Sequence, residues 1–93
     1  MFYVYILENQ GDLGWYIGMT TDLKRRVQEH ISGKGGRTTS MKHGWKLIYY
    51  EAYISKSDAA GRELFLKSGS GRRFIKKQLA HYLEAPLKIQ RTA

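Results

Sequence analysis

The segments Phe2-Tyr3-Val4-Tyr5-Ile6-Leu7 and Trp15-Tyr16-Ile17-Gly18-Met19-Thr20 decide how this chain is read. Both are rich in aromatic and β-branched residues, the composition of a strand. Between them lies Glu8-Asn9-Gln10-Gly11-Asp12, a cluster of turn-forming residues. The two segments are expected to pair as a hairpin centred on that turn, with Tyr5 and Tyr16 opposite each other on one face.

Outward from the hairpin, Asp22 is a good N-cap, and Leu23, Val27, His30 and Ile31 recur at helical spacing. This predicts a helix from about Leu23 to Ile31. Arg26 flanks its buried stripe, and His30 lies one turn later on the same side. Ser32-Gly33-Lys34-Gly35-Gly36 ends the helix and opens a glycine-rich, hydroxylated, basic loop, with room for a helical turn around Thr38–Met41. Trp45–Ile54 is the longest strand. Strict alternation puts Leu47, Tyr49, Glu51 and Tyr53 on one face and Ile48, Tyr50, Ala52 and Ile54 on the other. Apolar residues on both faces predict a central or doubly covered strand. Ser55 or Ser57 caps a second helix, from about Asp58 to Lys67, with Ala59, Glu63 and Leu66 on one face. Gly69-Ser70-Gly71 is read as a break. A third helix follows from about Arg72 to Leu83, with Phe74, Ile75, Leu79, Tyr82 and Leu83 inward. The order ββαβαα predicts an α/β fold: a small three-stranded, mostly antiparallel sheet covered by helices. Residues 1–83 are expected to form one domain and 84–93 a frayed tail.

Composition narrows the function. The chain has 93 residues and no cysteine, which excludes disulfides and thiolate metal sites. His30, His43 and His81 lack zinc-ligand spacing. No apolar run is long enough for a membrane span, and no basic-then-apolar leader is evident, so the expected compartment is the cytoplasm. Net charge is +8, unevenly placed. Residues 1–21 carry no Lys or Arg. Residues 30–50 carry Lys34, Arg37, Lys42 and Lys46 with no acid, and residues 64–83 carry Lys67, Arg72, Arg73, Lys76 and Lys77 with no acid. Two acid-free basic segments suit a polyanion such as nucleic acid. A solvated basic surface is the plainer alternative. An anionic membrane fits less well, because no helix shows a bulky apolar face.

The linked strings Tyr3-Val4-Tyr5, Tyr16-Ile17-Gly18 through Arg26 and His30, Leu47-Ile48-Tyr49-Tyr50-Glu51 and Arg62-Glu63 resemble the GIY-YIG nuclease superfamily. The likeness is greatest to small stand-alone bacterial members related to the N-terminal nuclease domain of the excision-repair protein UvrC. It runs from Phe2 to about Leu79. The resemblance implies a divalent-metal-dependent DNA endonuclease, structure-selective or weakly sequence-specific, using Mg²⁺ or Mn²⁺. It assigns Glu63 as the metal ligand, Arg26 to the scissile phosphate, and Tyr5 and Tyr16 to orienting or deprotonating the attacking water. Tyr16 is taken as the base, with Tyr5 as its partner and a phosphate contact.

Each residue also has a plainer reading. Glu63 on an apolar face is costly unless paired or metal-bound, and Arg26 or Arg62 could pair with it. Arg26 could be a surface arginine like Arg25, and Tyr5 a packing residue. His30 could contact phosphate, brace Arg26, or sit favourably at a helix end. Glu51 reads as a structural ion pair, and Tyr49, Tyr50 and Tyr53 as core or sheet surface. A free phenol with pKa of about 10 is only about 0.1% ionised at neutral pH, so a tyrosine base needs a nearby cation. Lys34, Arg37, Lys42, Lys46, Lys67, Arg72, Arg73 and Lys76 form the expected nucleic-acid grip. Phosphate contacts of this kind position a substrate without specifying it, so a partner protein could supply the address. The alternatives are a non-catalytic module for DNA or structured RNA, and an adaptor for an acidic protein.

Overall fold

The computed structural model describes residues 1–34 and 42–84. Three strands, β1 (Phe2–Asn9), β2 (Trp15–Thr20) and β3 (Trp45–Tyr53), form one antiparallel sheet in the order β2-β1-β3. Helix α1 (Leu23–Ile31) follows β2, and α2 (Lys56–Lys67), α3 (Gly69–Gln78) and the short α4 (Ala80–Leu83) follow β3. The α/β class and element order agree with the sequence reading. Arg37, the suggested turn at 38–41 and the tail from 85 onward lie outside the described residues.

Alternation along β1 divides the core into two layers. Val4 and Ile6 pack with Ala59, Leu66 and Ile75 of α2 and α3. Tyr5 and Leu7 pack with Trp45, Leu23 and Val27, beneath α1. The central strand is therefore β1; of the two alternatives read for β3, central or doubly covered, it is not central but an edge whose two faces are both packed, Leu47 in one layer and Tyr49 and Tyr53 in the other. Which residues take which face has a further cause. Its register shifts between Ile6, opposite Tyr49, and Leu7, opposite Leu47, which leaves Ile48 as an extra residue. This bulge sends Leu47 to the α1 side and Tyr49 to the α2 side, so they do not share a face as strict alternation predicted.

The hairpin turn is fixed by Asn9, whose side-chain oxygen accepts from Gly11 N at 2.9 Å and Asp12 N at 3.2 Å. The turn sets a register in which Tyr5 faces Gly18 and Tyr16 faces Leu7. The two tyrosines share a face as diagonal neighbours, not as the directly opposed pair the turn composition suggested.

Helix caps follow the sequence. Asp22 Oδ1 accepts from Arg25 N at 3.1 Å, and Ser55 Oγ from Asp58 N at 3.3 Å. The expected break at Gly69-Ser70-Gly71 is instead the first turn of α3. Ser68 closes α2 and caps α3, accepting from Gly71 N at 3.1 Å. A side chain at Gly71 would meet the Leu66 backbone at 2.6 Å, so glycine is there for close helix approach. The predicted third helix is divided at Leu79 into α3 and α4.

Helix α2 is tied to the sheet by Glu51. Arg62 donates to it through Nε at 2.9 Å and Nη2 at 3.0 Å, Tyr53 donates at 2.6 Å, and Tyr49 donates as well. The guanidinium also stacks on Phe65 and Phe74, at 5.1 and 4.7 Å from their centroids. Glu51→Gln keeps the shape but removes the charge from four hydrogen bonds. It should cost about 2 kcal/mol of stability, read from chemical denaturation; an unchanged midpoint would remove the network from the account of what holds α2. No helix among the described residues is long and apolar enough to cross a membrane.

Candidate active site

Tyr5 lies at the centre of the candidate site. Its ring crosses toward the edge strand β2 and lies over Gly18, where a Cβ would stand 2.5 Å from the hydroxyl. Only a missing side chain allows that crossing. Tyr5 is 1% exposed. Its hydroxyl is 2.8 Å from Nε2 of His30, which is itself fully buried on α1. The rings of Tyr5 and Tyr16 are 6.3 Å apart, and His30 lies 4.8 Å from Tyr16. Arg26, one turn before His30, hydrogen bonds to Tyr5 and pairs with Glu29 at 2.9 Å.

Burial pushes the Tyr5 phenol up to about 12; Tyr16 and Glu63 push the same way, and Arg26 opposes them. Burial also lowers His30, helped by the Arg26 charge. Both groups are therefore neutral at pH 7. Their effects on stability lie at opposite ends of the pH scale. Below the ordinary histidine value of 6.5 the unfolded chain binds a proton that buried His30 resists, so stability should decline as the medium is acidified past that point. Tyr5 has the reverse sign: its contribution is complete below pH 10.0 and is lost as pH rises toward about 12. Tyr53 and Tyr82, which burial also pushes up to about 12, act with it. Ultraviolet phenolate titration should show these three as a late-ionising fraction. A single transition for all seven tyrosines near pH 10 would contradict this.

Glu63 comes from the other layer. Its helix packs under Val4 and Ile6, and its charge is the least of the influences on the Tyr5 phenol. Tyr5 reaches the sheet edge over Gly18, and α2 borders the same edge strand through Ile17 and Met19. The Glu63 side chain is 21% exposed and pairs with Lys67 Nζ at 3.2 Å, not with Arg26 or Arg62. Among the described residues no group of three or more His, Asp or Glu side chains forms a metal cage. A lone, partly open carboxylate suits Mg²⁺, which keeps several waters and takes substrate oxygens.

The cationic residues surround the molecule. Lys34 is exposed just beyond α1. Lys42 pairs with Asp12 at 2.7 Å, and Lys46 lies over the Tyr82 ring. Lys67 stands beside Glu63. Arg72 lies 4.4 Å from the Trp15 ring centroid, Arg73 donates to Ser70 Oγ at 3.2 Å, and Lys76 is exposed on the same helix. Helix α3, carrying the last three, lies on the layer opposite α1. Two contacts at the site were not read from sequence, Glu29 on Arg26 and Lys67 on Glu63. Their i,i+3 and i,i+4 spacings on helices were the available signal.

Similarity to known proteins bears on the family and the fold. The GIY-YIG catalytic domain family matches residues 1–78. The chain is 45% identical over 65 residues to a UPF0213 protein of Streptococcus pneumoniae serotype 4, covering 70% of this chain and 65% of that relative, just under two thirds of its length. It is 40% identical over 84 residues to UPF0213 protein BH0048 of Halalkalibacterium halodurans, covering 90% of this chain and 86% of the relative. The solution NMR structure of UPF0213 protein BH0048 from Bacillus halodurans superposes with a TM-score of 0.51 at 40% identity, covering 94% and 90% of the two chains.

Proposed function

The chain belongs to the GIY-YIG family, and from that premise we propose that it is a divalent-metal-dependent endonuclease that hydrolyses DNA phosphodiester bonds. One arrangement supports the proposal: the Tyr16 ring lies 6.3 Å from Tyr5, Arg26 is one turn before the His30 that meets the Tyr5 hydroxyl, and α2, which bears Glu63, packs against Ile17 and Met19 of the same edge strand.

Arg26 binds the scissile phosphate, with its guanidinium oriented by Glu29 and by the Tyr5 oxygen. Tyr5 and His30 are buried and neutral. They hold Arg26 and the Tyr16 ring in place, so they are positioning residues. Tyr16 is half-buried and orients the attacking water or takes its proton. Glu63 would hold the cation, in place of its present pairing with Lys67. The cation supplies positive charge to the phosphate oxygens and lowers the cost of the charge that develops there. Phosphate contacts position a strand without specifying it, so the selectivity expected of these residues alone is weak.

The test is incubation with nicked, flapped and branched DNA, with Mg²⁺ or Mn²⁺ and with chelator. Metal-dependent cutting of at least one branched substrate is the expected result. Salt-sensitive binding with no cleavage under any of these metals would leave a binding module in place of an enzyme.

A further inference from the structure

A second concave surface lies on the α1 side of the sheet, between α1 and the β3 edge. Its volume is about 550 Å³, within the usual range of small-molecule sites. Tyr3, Val27, Leu47 and Tyr50 line it together with Asp22, Lys24 and Gln28. None of these residues belongs to the hydrolytic constellation.

The two tyrosines are placed for contact with a flat ligand. Tyr3 and Tyr50 meet edge to face, with centroids 6.2 Å apart. Tyr50 is 54% exposed. It is the cross-strand partner of Tyr5, and Tyr3 lies two residues before Tyr5 on the same strand, about 7 Å away. The groove is therefore next to the phenol cluster, sharing with it Leu23 and Val27 of α1.

We propose that this groove receives one unpaired base of the DNA strand whose phosphate lies at Arg26 and Tyr16. The proposal rests on the nuclease reading. The occupant follows from the lining. A nucleobase has a π-face for Tyr50 and a donor–acceptor edge for the Gln28 amide, and its 5′ or 3′ phosphate suits Lys24 on a chain of net charge +8. A paired base is held in its stack and cannot enter. The groove thus selects strands that carry a flap or gap, and supplies a shape preference that the hydrolytic residues lack.

The experiment compares a duplex bearing a short single-stranded flap with the same duplex fully paired, by fluorescence anisotropy in chelator at one fixed salt concentration. The wild type should bind the flap more tightly. Tyr50→Ala should weaken flap binding by about 5- to 150-fold and leave the paired duplex unchanged; Tyr50→Phe should restore the preference. Equal loss on both DNAs, or no flap preference in the wild type, would overturn the proposal. Tyr50 is exposed, so its replacement should leave the thermal midpoint close to wild type, and Gln28→Ala provides a second probe with the same expected pattern. The outcomes separate the two readings. Flap preference through Tyr50 without cleavage would retain the groove and remove the nuclease. Cleavage with no response to Tyr50→Ala would do the opposite.

Discussion

Glu63→Ala should reduce DNA cleavage by about 10³-fold while leaving DNA binding in chelator within a few-fold of wild type. The first half follows from position. Glu63 shares the inward face of α2 with Ala59 and Leu66, and that helix packs against Ile17 and Met19 of the edge strand that carries Tyr16. Deleting it removes the carboxylate proposed to hold the cation. The second half follows from its partner. Lys67 is half exposed, so losing Glu63 returns an ammonium to water and strands no buried charge. Stability should therefore change by less than about 1 kcal/mol, and lost activity would not reflect unfolding. Glu63→Gln, which keeps the shape, should be nearly as inactive. Cleavage that persists at wild-type rate in both variants, with the same metal dependence, would mean that Glu63 forms only a helix ion pair.

Gly18→Ala should cost at least about 100-fold in cleavage and about 1–3 kcal/mol in stability. The added Cβ would stand 2.5 Å from the Tyr5 hydroxyl, 2.6 Å from Cζ and 3.1 Å from Cε2 of Tyr16. The backbone cannot retreat, because Gly18 is paired to Tyr5 across the ladder. The ring must move instead, and it is buried and hydrogen bonded to His30 and Arg26. A displacement of about 1 Å there reaches both the guanidinium and the Tyr16 ring. The variant should keep its far-ultraviolet circular dichroism, lose activity, and show Tyr5 ionising earlier in alkaline titration. A Gly18→Ala protein with wild-type rate and titration would show that the Tyr5 position is not critical.

Local features were legible in the residues. The β2 and α1 boundaries, the Asp22 and Ser55 caps and the inward placing of Glu63 follow from propensity, capping and periodicity, which act over a few positions of chain. Gly69-Ser70-Gly71 was misread because a glycine chosen for close helix contact looks, in sequence, like one chosen for a turn.

What the sequence by itself determined was the inventory: two pairing strands, an amphipathic helix bearing Arg26 and His30, a later helix bearing Glu63, and a family pattern linking them. Only the tertiary structure decided that β1 is central and β3 an edge, that a bulge at Ile48 reverses the face of Leu47, and that Tyr5 is a buried phenol 2.8 Å from His30 Nε2. It also decided that Glu63 pairs with Lys67 on the layer opposite the one where Tyr5 packs. The reason is one of range. Helix periods and caps are set by neighbours in the chain, whereas strand order, burial and the approach of one charge to another depend on which distant segments pack together.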